Sequence, residues 1–161
     1  MANTIIGIAE MAVAHSPDSL TTLGLGSCVG IALYDRTKRL GGLSHILLPK
    51  APENGNGFHR PKYADTALSE LVERVTGAGA NRSTITAKLA GGAQMFVSEA
   101  VGDVLQVGRR NVEMCREVLT KMRIAIIGED TGGSSGRTIV FDCETGLLKV
   151  QTAWPVTNKT L

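Results

Sequence analysis

Apolar and polar positions alternate with a period of two along residues 28–34. Val29, Ile31 and Leu33 fall on one face, and Cys28, Gly30, Ala32 and Tyr34 on the other, which is the pattern of a β-strand. Two apolar segments precede it, one holding Ile5, Ile6 and Ile8 and one over residues 20–25. A fourth runs over residues 40–48 and stops at Pro49, where the ladder loses a donor. Further on, Ala64, Leu68, Leu71 and Val75 recur at helical spacing before Gly77 and Gly79. Val112, Cys115, Val118, Leu119 and Met122 do the same, predicting two amphipathic helices. Residues 84–89 and 124–127 read as strands, the second short and buried. Residues 139–142 and 147–150 form a hairpin closed around Glu144-Thr145-Gly146.

Many strands with two main helices predict an α+β fold: one layered domain over residues 1–161, with mixed or antiparallel sheets flanked by the helices. No repeat, linker or composition shift divides the chain. Residues 50–62, with two prolines, two glycines and two asparagines, read as a surface loop.

Composition narrows the class. The chain is 43% hydrophobic and 20% charged, values of an ordinary globular domain rather than a disordered one. The net charge of +2 is spread without basic blocks, and aromatics make up 4%, so nucleic-acid binding by charge or base stacking is not expected. No apolar run exceeds about five residues, so no membrane insertion is expected. The start has no basic segment followed by a long apolar one. Three cysteines without a CxxC pair fit free thiols in a reducing cytoplasm. Glycine is the outlier, at 19 of 161 residues, clustered beside the strands where tight turns and close backbone approach are needed.

Cys28 follows the turn Gly24-Leu25-Gly26-Ser27, and His45 lies on the next strand. If Arg36-Thr37 were a two-residue turn, Cys28 and His45 would face each other across an antiparallel ladder and share a proton. A slip of one residue would put them on opposite faces, and a longer loop with a bulge is the other arrangement. An imidazole beside a thiol raises the thiolate fraction, and closely spaced glycines leave backbone N–H groups at Gly26 and Ser27 to meet an oxyanion. The residues by themselves leave two readings open: a small core cysteine with a hydrogen-bonded structural histidine, or a nucleophile with its base. Cys115 on the helix face and Cys143 at the hairpin end read as structural, and His15 and His59 as solvated. These residues share no metal-ligand spacing, and Val29 breaks a GxGxxG. No metal or cofactor is expected.

An ordered set of segments spans nearly the whole chain. It comprises Thr22-Leu23-Gly24-Leu25-Gly26-Ser27-Cys28-Val29, Gly42-Leu43-Ser44-His45, Leu48-Pro49, Lys62-Tyr63-Ala64-Asp65-Thr66-Ala67, Gly91-Gly92-Ala93-Gln94-Met95-Phe96, Gly108-Arg109-Arg110-Asn111-Val112 and Glu129-Asp130-Thr131-Gly132-Gly133. The set resembles the CheD family of chemotaxis proteins. The resemblance implies a fold like the catalytic domain of cytotoxic necrotizing factor. It also implies a cysteine-dependent deamidase that converts glutamines of methyl-accepting chemotaxis receptors to glutamate and ammonia, with glutamyl methyl esters as a second substrate in some members. The family's catalytic cysteine falls on Cys28, its histidine on His45, and the threonine that supports the histidine on Thr22. The partners it implies are receptor cytoplasmic helices and the phosphatase CheC. The alternative is a non-catalytic regulatory module acting through CheC. Residues 50–62 match the family least closely.

Overall fold

Side-chain hydrogen bonds at one turn set the central register of this fold. Asp35 Oδ1 accepts from Thr37 N–H and the Thr37 hydroxyl at 2.9 and 2.7 Å, and Arg39 takes a positive φ of 49°. The strands on either side are therefore joined by a four-residue turn, with Asp35 paired to Leu40. The computed structural model describes residues 1–54, 57–95 and 106–161. In chain order the elements are β1 (Asn3–Ile6), β2 (Met11–His15), β3 (Ser19–Leu25), β4 (Val29–Asp35), β5 (Leu40–Ile46), α1 (Ala64–Gly77), β6 (Ile85–Gly91), α2 (Val107–Lys121), β7 (Ala125–Thr131), β8 (Arg137–Asp142), β9 (Leu148–Ala153) and β10 (Val156–Thr160).

They build an α+β fold with two mixed five-stranded sheets, ordered β1-β3-β8-β9-β10 and β2-β5-β4-β6-β7. The parallel pairs are β1 with β3 and β6 with β7. The alternation along β4 becomes two faces of one strand. Val29, Ile31 and Leu33 pack with Leu68 and Leu71 of α1 and with Val112, Cys115 and Leu119 of α2. Cys28, Ala32 and Tyr34 pack with Leu20, Leu25, Ile139 and Phe141 of the other sheet. The layers are therefore sheet, sheet, helices. A fully buried Leu or Ile contributes about 1.5–3 kcal/mol, whereas an exposed helix pair such as Arg109–Glu113 contributes about 0.3–0.5. Apolar burial decides where the helices sit.

Several expectations change. Ile8 lies beyond β1, in a turn, while β2 is a strand that no strong apolar run announces. The strand expected at 124–127 is longer and lies at a sheet edge, with Ile127 exposed rather than buried. The terminal hairpin continues into β10, exposed along its length. Two residues of the 50–62 loop, 55 and 56, and Phe96 lie outside the described residues. No helix among the described residues is long and apolar enough to cross a membrane.

Candidate active site

The register corrects the expected facing of Cys28 and His45. In the four-residue-turn ladder His45 pairs with Gly30, and Val29 with Ile46. Cys28 sits just ahead of β4, so its relation to His45 is diagonal rather than directly opposite. The register differs from the two-residue-turn case by two positions, and an even shift preserves the face. Gly41 and Leu43, which share the His45 face of β5, meet the opposite sheet. Cys28 packs into that same inter-sheet layer. Diagonal neighbours have backbones about 7–8 Å apart, within reach for longer side chains. Gly30, between the two, allows the sheets to close here: a Cβ at Gly30 would stand 2.4 Å from Ile139 Cδ1.

Thr22 comes from the other sheet, at the last regular β3 pairing before an irregularity at Leu23-Gly24. Its hydroxyl donates to the Ile6 carbonyl at 2.8 Å. Its Oγ1 lies 2.7 Å from His45 Nδ1. A hydroxyl has one proton, and this one is committed to Ile6, so Nδ1 is the donor and the neutral ring leaves Nε2 as an unprotonated acceptor. Nε2 is buried and has no hydrogen-bond partner among the described residues. Thr22 thus orients the ring and sets its tautomer.

The turn at Gly26, Ser27 and Cys28 is held by its carbonyls. The Gly26 carbonyl accepts from Ala93 N–H at 2.8 Å and the Cys28 carbonyl from Gly92 N–H at 2.8 Å. The Ser27 carbonyl accepts from Asn111 Nδ2 at 2.9 Å. In a trans peptide N–H and C=O point oppositely, so the Ser27, Cys28 and Val29 N–H groups are aimed away from these donors. No hydrogen bond to another residue among the described residues uses the Ser27 or Cys28 N–H; the Cys28 N–H meets only its own thiol. Gly91 makes the close approach feasible: its φ is 114°, and a Cβ there would fall 2.3 Å from the Cys28 carbonyl oxygen.

Burial dominates the electrostatics. It pushes the His45 pKa down to about 4, with the Glu10 carboxylate pulling the other way. It raises the Cys28 thiol, opposed by a hydrogen bond from its own backbone. Both groups are therefore uncharged at neutral pH, a thiol and a free base rather than a preformed ion pair. Cys28 keeps 5% of its surface exposed and His45 none.

These features are an aligned imidazole, a thiol on the same face, and N–H groups beside it. The family model for CheD chemotactic sensory transduction matches residues 47–152. A probable chemoreceptor glutamine deamidase CheD of Lachnoclostridium phytofermentans is 49% identical over 146 residues, covering 91% of each chain. The chain belongs to the CheD family. A chemoreceptor glutamine deamidase CheD of Halalkalibacterium halodurans is 45% identical over 148 residues, again 91% of each. The Bacillus licheniformis hypothetical protein YfiH superposes with a TM-score of 0.48 at 17% identity, over 76% of this chain and half of that one. The segment matched by the CheD model begins just past His45, so the arrangement of Thr22, Cys28 and His45 is a separate observation from that match.

Of the remaining candidates, Cys115 and Cys143 are fully buried, and His15 and His59 are exposed. His59 donates to the Ala9 carbonyl at 2.7 Å, and Ala9 N–H donates to the His45 carbonyl at 2.8 Å. This ties the described end of the 50–62 loop to the backbone of the candidate base. Sequence reasoning missed Asn111. A signal was present: Asn111 stands four residues before Cys115, on the apolar stripe of α2, where a polar side chain is out of place.

Proposed function

We propose that this chain is a chemoreceptor glutamine deamidase in which Cys28 is the nucleophile, His45 its base and Thr22 the residue that holds the base. The observation that supports the reading is the Thr22–His45 contact of 2.7 Å, which engages Nδ1 and leaves the buried Nε2 without a partner among the described residues, on the sheet face that also carries Cys28. In this reading His45 Nε2 takes the Cys28 proton as sulfur attacks the carboxamide carbon of a receptor glutamine. The tetrahedral oxyanion is met by N–H groups at Ser27 and Cys28, next to Gly26. The C–N bond then breaks, the imidazolium proton leaves with ammonia, and a thioester remains. Water, deprotonated by His45, hydrolyses it to glutamate and restores the thiol. The same steps serve a glutamyl methyl ester, with methanol leaving in place of ammonia. The chain would work as one unit in the cytoplasm on receptor helices, without a metal or cofactor.

Incubation with a recombinant chemoreceptor cytoplasmic fragment and peptide mass mapping tests this. Wild-type protein adds about 1 Da per converted glutamine, and Cys28→Ala adds none while remaining folded. Conversion by Cys28→Ala at the wild-type rate rejects the mechanism.

The low exposure of Cys28 supports a second reading, a regulatory module that works through CheC. Absence of any deamidation by wild-type protein, with CheC binding unaffected by Cys28→Ala, would select it.

A further inference from the structure

We infer that Asn111 is a positioning residue that aims the oxyanion-binding N–H of Cys28 from behind. The inference rests on the deamidase reading above.

Asn111 is fully buried on α2. Its Nδ2 donates to two carbonyls from separate strand ends: Ser27 at 2.9 Å and Leu47 at 3.0 Å. Ser27 precedes the nucleophile, and Leu47 follows the base by two residues. One amide group therefore ties the turn of Cys28 to the strand of His45 through a third element. Because Nδ2 faces two acceptors, the amide orientation is settled, since the flipped form would set Oδ1 against both oxygens. Oδ1 itself is buried without a partner among the described residues. An apolar side chain would remove that orphaned acceptor but would also take the donor from the Ser27 and Leu47 carbonyls, so the asparagine is kept here by those two bonds and not by packing.

The geometry supplies a reason for it. The Ser27 carbonyl and the Cys28 N–H belong to one planar peptide and point oppositely. Fixing the oxygen on Asn111 fixes the N–H toward the opposite side. Accepting that bond also polarises the peptide and makes its N–H a better donor. Preorganised donors of this kind lower the barrier because they need no reorganisation as charge develops.

Two variants test the role. Asn111→Leu keeps the branched heavy-atom outline and removes the donors, and Asn111→Ala guards against an overpacking effect of the bulkier leucine. Deamidation of a recombinant chemoreceptor cytoplasmic fragment is measured beside alkylation of Cys28 by iodoacetamide. Alkylation is a displacement at carbon that develops no alkoxide, so it reads the thiol without the oxyanion site. A fall in kcat of about 10²-fold, with KM and the Cys28 alkylation rate unchanged, supports the inference. Unchanged kcat in both variants, or kcat and alkylation falling in step, overturns it. If wild-type protein itself converts no glutamine, the deamidase reading fails; an active wild type with unaffected variants removes the role of Asn111 alone.

Discussion

Thr22 and His45 belong to different sheets, yet Oγ1 and Nδ1 stand 2.7 Å apart. The contact is directional. Thr22 spends its proton on Ile6, so it can only accept from the ring. The tautomer of the candidate base is thereby set by a backbone carbonyl on β1, relayed through one hydroxyl.

Thr22→Val keeps the side-chain shape and removes this acceptor. The ring is then free to move its proton to Nε2, where it cannot act as base. A drop in kcat of about 10²-fold or more is expected, with Thr22→Ser retaining most activity. Nitrogen NMR of labelled histidine reads the tautomer independently. A wild-type kcat in Thr22→Val would leave the residue without a role in the chemistry.

The depressed His45 pKa has consequences for rate and for folding. The acid limb of kcat/KM is expected near pH 4 rather than 6.5, because the free enzyme holds a neutral ring down to that point. As pH falls below 6.5, the unfolded chain takes up a proton that the native ring refuses until about 4. Unfolded protein binds more protons in that window, so stability declines from pH 6.5 toward 4 by up to about 1.4 kcal/mol per unit and gains nothing further from this group below it. Urea unfolding at several pH values, with His45→Gln for comparison, measures the slope. A slope unchanged in the variant would contradict the assignment.

Desolvation also raises the Cys28 thiol, so its reaction with iodoacetamide is expected to be slow at neutral pH and faster as pH rises. Cys115 and Cys143 are pushed up to about 12 and about 11 and are fully buried. Intact mass should therefore show one label on native protein, located at Cys28, and three after denaturation. Labelling of Cys115 or Cys143 ahead of Cys28 would be incompatible with this packing.

Two glycines of opposite character give a matched test of the turn. Gly91→Ala forces a φ of 114° on an L-residue and presses Cβ to 2.3 Å from the Cys28 carbonyl oxygen. The expected cost is about 1–3 kcal/mol, together with loss of deamidation as the nucleophile shifts. Gly77→Ala, in α1 with open space around the new carbon, should stabilise by about 0.4–1 kcal/mol and leave activity alone. Urea midpoints and initial rates distinguish the two, and equal effects would deny Gly91 its place behind Cys28.

Local pattern determined much of this protein. Alternation along β4 separated Val29, Ile31 and Leu33 from Cys28, Ala32 and Tyr34, and the two helix stripes located the apolar faces of α1 and α2, because side-chain direction repeats with the backbone's own period. The ordered glycine-rich segments carried the family, and with it the proposal that Thr22, Cys28 and His45 form the site. Tertiary structure decided the rest. The diagonal placing of Cys28 follows from Asp35 gathering the N–H and hydroxyl of Thr37 into a four-residue turn. The partnership of Thr22 with His45 needs two sheets to stack, and the grip of Asn111 on Ser27 and Leu47 needs a helix to dock from more than sixty residues away. Periodicity records which way a side chain points. Which distant backbone it meets depends on register and packing, and those exist only once the layers have closed.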